Sequence, residues 1–151
     1  MGLSLKKINA FLFFKLPSAY WSGVRVNDIN ETRCKVSVKH KWINQNPFNS
    51  MYFAVQAMAA ELTTGALVMA EIQKSNRKIS MLVGSNRAVF SKKATGRITF
   101  ICEDGHRVAQ AIAQTIATGE GVSITSKSVG TDESGNQVSE MEFDWSIKLK
   151  T

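Results

Sequence analysis

The chain has 151 residues, 44% of them hydrophobic and 21% charged, which fits one soluble globular domain able to bury a core without staples. Its two cysteines, Cys34 and Cys102, lie far apart and outside any metal-like spacing. They read as reduced, buried thiols of a cytoplasmic protein, with a disulfide between them as the alternative.

Residues 1–16 read as a lead-in helix, with Ile8, Phe11 and Leu12 on one face. The apolar run Phe11-Leu12-Phe13-Phe14 is short and Lys15 interrupts it, so it is neither a secretion signal nor a membrane span. Attachment to a membrane surface is the second reading of this helix. Pro17 to Gly23 reads as a loop. Gly23–Ile29 and Cys34–Lys39 alternate apolar and polar residues, the period-two mark of strands, with Asp28–Thr32 as the turn. Trp42–Asn49 is an Asn-rich loop containing Pro47, and Asn49 or Ser50 is the expected cap of a long helix over 50–73.

That helix is apolar from Met51 to Ile72 apart from a few polar side chains. At about 100° per residue, Tyr52, Gln56, Thr63, Thr64 and Glu71 fall within a sector of roughly 120°, the expected solvated face. Glu61 falls about 140° from Gln56, among Ala54, Ala57, Gly65, Val68 and Ile72. A carboxylate on a small-residue apolar face is a candidate for chemistry. Gly65 in mid-helix predicts that something packs close to the backbone there.

Lys74–Arg77 closes the helix. Strands follow over Ile79–Phe90, with Gly84 inside, and Thr95–Cys102, then a turn at Glu103-Asp104-Gly105. Val108, Ile112 and Ile116 with interspersed alanines give a helical pattern in which a strand stays open, until Gly119-Glu120-Gly121 breaks it. Val122–Val129 and Val138–Leu149 are the last strands, joined through a hairpin turn over Asp132–Asn136. There is no repeat, linker or low-complexity segment. The expected fold class is α+β, one domain over 1–151 with an antiparallel sheet wrapped on a central helix.

Net charge is +7 and uneven: residues 1–102 hold 15 Lys/Arg against 4 Asp/Glu. The densest part, Lys74, Arg77, Lys78, Arg87, Lys92, Lys93 and Arg97, suits a polyanion or a solvated surface. Aromatics are not interleaved with these bases in a stacking pattern, so nucleic acid is not the expected partner. His40 and His106 fit no metal or triad spacing, no metal cluster is expected, and Ser50 lacks a nucleophile elbow.

This order of elements resembles the hotdog fold, in which a curved sheet wraps a long helix. In hotdog thioesterases of the phenylacetate-pathway type, an Asn lies six residues before a His-Gly-Gly at the helix start, and an acid follows nine residues after the His. Here Asn46 lies six before Tyr52 and Glu61 nine after it. The helix start differs, with Tyr52-Phe53-Ala54 in place of His-Gly-Gly. The pattern Asn46…Asn49-Ser50-Met51-Tyr52-Phe53-Ala54…Ala60-Glu61-Leu62-Thr63-Thr64-Gly65 is more similar to an uncharacterised, largely bacterial branch. Leu16-Pro17, Asn46-Pro47-Phe48 and Asp144-Trp145-Ser146-Ile147-Lys148 add to that likeness.

The resemblance implies hydrolysis of an acyl-CoA or acyl-carrier-protein thioester, with no cofactor beyond the coenzyme A of the substrate. Glu61 would act as general base or nucleophile, and Asn46 would place the water or the carbonyl. Ser50, Met51, Tyr52, Phe53 and Gly65 would line the substrate, with the helix N-terminus facing the thioester oxygen. Arg87, Lys92 and Lys93 would receive phosphates. A homodimer, or a dimer of dimers, is also implied. Each assignment has a structural counterpart: Glu61 in an ion pair with Arg87 or Arg97 across an interface, and Asn46 stitching its own loop. A non-catalytic acyl-binding module is the alternative function, and Phe53 and Ala54 narrow the room for a pantetheine arm.

Overall fold

The computed structural model describes residues 4–151, so the first three positions of the expected lead-in helix lie outside the described residues. Helix α1 (Leu5–Lys15) is followed by α2 (Pro17–Trp21), where the sequence suggested a loop. Proline explains the difference: at the first helical position its fixed φ favours the turn, and its missing N–H would have had no partner there anyway. Asn9 docks α1 on the sheet, donating through Nδ2 to the Val26 carbonyl (3.1 Å) and accepting from the Val26 N–H (3.0 Å).

Six strands form one fully antiparallel sheet in the order β1-β2-β4-β5-β6-β3. They are β1 (Arg25–Ile29), β2 (Cys34–Lys39), β3 (Ile79–Phe90), β4 (Arg97–Cys102), β5 (Val122–Thr131) and β6 (Gln137–Leu149). The long helix α3 (Phe53–Ser75) packs across β1, β2, β4, β5 and β6. Its length and hydropathy match a membrane span, but here they serve the core: Leu67 and Val68 are buried, each stabilising by about 1.5–3 kcal/mol. Helix α4 (Gly105–Thr118) turns Val108, Ala111 and Ile112 onto α3, β5 and β6, so the ambiguous alanine-rich segment is helical. Gly105 opens it because a Cβ there would fall 2.0 Å from the Glu31 carbonyl oxygen.

Helix α3 starts later than expected, and neither Asn49 nor Ser50 caps it. Asn49 sits at φ +57°, Met51 bridges Gln45 and donates its N–H to the Ala94 carbonyl, and Tyr52 is the N-cap residue. Pairing holds residues 49–51 outside the helix.

The expected solvated face of α3 is corrected more sharply. Gln56, Thr63 and Thr64 are buried against the sheet. Ser139 donates to Gln56 Oε1 (2.8 Å), Thr63 bonds Ser128 Oγ (2.8 Å), and the Trp145 indole donates to Thr64 Oγ1 (2.9 Å). Polar groups of the helix meet polar groups of the strands, which removes most of the cost of burying them. Cys34 and Cys102 are directly opposed across β2 and β4, buried and free.

Strand β3 has one neighbour, β6, and its other edge is open along the strand. From Gly84 to Phe90 every residue is exposed, including Val89 and Phe90, as is Leu82 before it.

Candidate functional site

Glu61 lies on the flank of α3, half-buried, while Ala60, Leu62 and Thr64 beside it are buried. Its carboxylate borders a crevice of about 280 Å³ between α3 and the α1–α2 junction. Lys15, Leu16, Pro17, Ser18 and Ala19 form one wall, and Met58, Glu61 and Leu62 the other. Among the described residues Glu61 makes no ion pair, and no side chain donates to its carboxylate. Burial without a compensating cation disfavours the charged form, so its pKa is raised above the ordinary 4.5.

Gly65, one turn on, behaves as its position predicts. A Cβ there would lie 3.1 Å from Cζ2 of Trp145 and 3.2 Å from Oε1 of Glu61. Trp145 is held by its bond to Thr64, so the glycine lets indole and carboxylate share one patch of helix surface.

Asn46 is elsewhere. Its Oδ1 accepts from the N–H groups of Phe48 (2.9 Å) and Ser50 (3.2 Å), and its Nδ2 donates to Ser50 Oγ (2.9 Å) and the Met51 carbonyl (3.3 Å). It stitches its own loop, on a different and more open groove of about 420 Å³ that also involves Trp42, Ile43, Gln45 and Pro47. Within one chain, Asn46 and Glu61 line different cavities.

Ser50 and Met51, expected at a substrate surface, are buried: Ser50 is used by Asn46 and Met51 is core. Tyr52 and Phe53 are exposed, their rings 5.1 Å apart, and Phe53 lies 6.2 Å from the ring of Phe90 at the end of β3. The N–H groups of Phe53 and Ala54 have no acceptor among the described residues, as expected in the first turn of a helix.

The basic residues are dispersed. Arg87 sits on β3 opposite Glu142; Lys92 pairs with Asp132 (2.6 Å); Lys93 donates to the Phe48 carbonyl (3.3 Å); Arg97 donates its N–H to Glu133 (2.9 Å). Neither Arg87 nor Arg97 pairs with Glu61 within the chain. Sequence reasoning missed the residues that face Glu61. Met58 was accessible as the position one turn before it, whereas Lys15 to Ala19 come from a segment some forty residues away that no local pattern connects to α3.

The family described as Domain of unknown function (DUF4442) matches residues 6–147. No functionally curated protein matches the sequence. Among solved structures, a Pseudomonas aeruginosa protein of unknown function, PA5026, described as a "probable thioesterase", superposes with a TM-score of 0.83 at 22% identity, covering 99% of both chains. A Chlorobaculum tepidum protein of unknown function gives 0.81 at 15% identity, covering 96% of this chain and 94% of that one. The Haemophilus influenzae thioesterase HI1161 gives 0.73 at 12% identity, covering 99% and 93%. These likenesses establish the hotdog fold: a six-stranded curved antiparallel sheet around one long helix.

Proposed function

The chain belongs to the family described as Domain of unknown function (DUF4442), and from that premise we propose that it hydrolyses an acyl-CoA or acyl-carrier-protein thioester. The observation that carries this reading is Glu61: a helix-borne carboxylate with no cation partner among the described residues, a raised pKa, and an open crevice before it. A general base needs room for water and substrate and a proton affinity above that of an ordinary carboxylate, and this group has both.

Water bound at Glu61 gives a proton to the carboxylate as its oxygen attacks the thioester carbon. Negative charge collects on the carbonyl oxygen, where backbone N–H groups stabilise it. Collapse of the tetrahedral intermediate breaks the C–S bond, and the proton on Glu61 passes to the leaving thiolate. The free N–H groups of Phe53 and Ala54 are the available donors. Glu61 lies eight residues beyond Phe53, a rise of about 12 Å along the helix, too far for both to act on one carbonyl. A second copy must therefore bring its helix start to this Glu61.

The open edge of β3 is the natural joint for such a homodimer. It is twelve residues long, bears exposed Leu82, Val89 and Phe90, and ends where Phe53 meets Phe90. In this arrangement Asn46 shapes the loop that leads into the partner's helix start, and Arg87, Lys92 and Lys93 are the cations at hand for the phosphates. Pairing of two dimers into a tetramer is compatible with it. Such substrates belong to the reducing cytoplasm, which suits a pair of buried free thiols.

A non-catalytic acyl-binding role is favoured by one feature: Phe53 and Ala54 narrow the helix start where a pantetheine arm would pass. Thiol release from short, long and aromatic acyl-CoAs separates the two. Turnover of at least one of them supports hydrolysis. Tight acyl-CoA binding without turnover supports the binding module.

A further inference from the structure

Residues 4–27 carry four cations, Lys6, Lys7, Lys15 and Arg25, and no carboxylate. The same segment leaves large apolar side chains in water. Phe14 is 74% exposed and Trp21 63%, and Leu5, Phe11, Phe13 and Leu16 each keep about 40% of their surface in water. Helix α1 fully buries only Leu12, so it meets the sheet by one narrow face. At about 100° per residue, Phe14 points roughly 160° away from Leu12 and within about 20° of Lys7. Aromatic and cationic side chains therefore share the outward face.

The platform is preformed. Phe13 stacks edge-on to Phe14 (4.9 Å) and Tyr20 (5.1 Å), Trp21 packs beside Phe13 (6.1 Å), and the Arg25 guanidinium lies 3.5 Å over the Tyr20 ring. Little side-chain freedom remains to be lost on contact. A second copy of this same face would bring cation against cation across a two-fold axis. A surface that is apolar in depth and anionic at its rim answers both halves of the patch at once.

We propose that the α1–α2 face docks on an anionic lipid surface, with Phe14 and Trp21 entering the headgroup region and Lys6, Lys7 and Lys15 meeting lipid phosphates. The Glu61 crevice has its outer wall at Leu16, Pro17 and Ser18, so docking brings that wall to the membrane. The docking itself stands apart from the proposed hydrolysis and is tested without it.

The test is flotation of the full chain with vesicles of phosphatidylcholine alone and of phosphatidylcholine mixed with phosphatidylglycerol. Retention on the anionic vesicles is expected, falling more than about tenfold as salt rises from about 0.1 M to about 0.5 M. Phe14→Ser with Trp21→Ser, and separately Lys6→Glu with Lys7→Glu, each lower the partition by about tenfold or more. Lys148→Glu with Lys150→Glu, the same charge change at the end of β6 away from α1, leaves it unchanged. The lysine pair carries the test if the aromatic pair fails to fold. No retention on anionic vesicles, equal loss in the β6 control, or patch variants that change the assembly's mass in solution while vesicle binding persists would each overturn the proposal, the last in favour of a second copy.

Discussion

Replacing Gly65 by alanine sets two effects of opposite sign against each other at one position. In a solvent-facing helix the change stabilises by about 0.8–1 kcal/mol, because alanine restricts the unfolded chain more. Here the new methyl would stand 3.1 and 3.2 Å from Cζ2 and Cη2 of Trp145 and 3.2 Å from Oε1 of Glu61. The carboxylate is the free end of a flexible side chain and can swing into its crevice. Trp145 has no such freedom, since it is buried and its indole N–H is held by Thr64 at 2.9 Å. Overpacking a core of this kind costs about 1–3 kcal/mol, so Gly65→Ala should be net destabilising by about 0–2 kcal/mol. Urea denaturation of the two proteins reads the difference directly. Repeating the substitution in a Trp145→Phe background, where the two crowding atoms are gone, should return the stabilising sign. A gain of about 1 kcal/mol in the Trp145 background would refute the close-packing argument.

Burial raises the Glu61 pKa, so the folded protein holds a proton there that the unfolded chain has released. Stability from this group is greatest below the unfolded value near 4.5 and is lost as pH rises through the folded pKa. Glu61→Gln, which never ionises, should therefore gain stability relative to the wild type between acid and neutral pH; a pH-independent difference in denaturation midpoints would contradict this. Thr63→Val should destabilise by about 1–3 kcal/mol by stranding the Ser128 hydroxyl, and a companion Ser128→Ala should recover much of that loss; an unchanged thermal midpoint in the single variant would deny the bond. Burial pushes both thiols up to about 12, so neither should react with a disulfide reagent at pH 8 until denaturant is added, and rapid labelling of the native protein would show them exposed. If the proposed joint at β3 forms a dimer, Val89→Lys, which puts a charge on that open edge, should halve the solution mass by light scattering; an unchanged mass would place the interface elsewhere.

The long apolar run Met51–Ile72 made the central helix legible, and the helical angle set Glu61 apart from Gln56, Thr63 and Thr64 on that helix. Gly65 also announced a close neighbour correctly. The solvated face did not survive, because hydrophobic periodicity treats Gln56, Thr63 and Thr64 as water-seeking. Their partners Ser139, Ser128 and Trp145 lie 83, 65 and 81 residues away, and only the folded sheet brings them under the helix. The crevice wall from Lys15 to Ala19 was hidden for the same reason. It depends on how α1 and α2 fold back over α3, which local pattern does not encode. The spacing that linked Asn46 with Glu61 was real in the sequence, but within one chain it joins two separate cavities. Strand β3 could be read as a strand, yet nothing in its residues marked it as the open edge.

A general base at Glu61 requires a loss of about 10²–10⁴-fold in kcat/KM for the best acyl-CoA in Glu61→Gln, with acyl-CoA binding kept and the fold intact. Full turnover by Glu61→Gln would remove this residue from the chemistry.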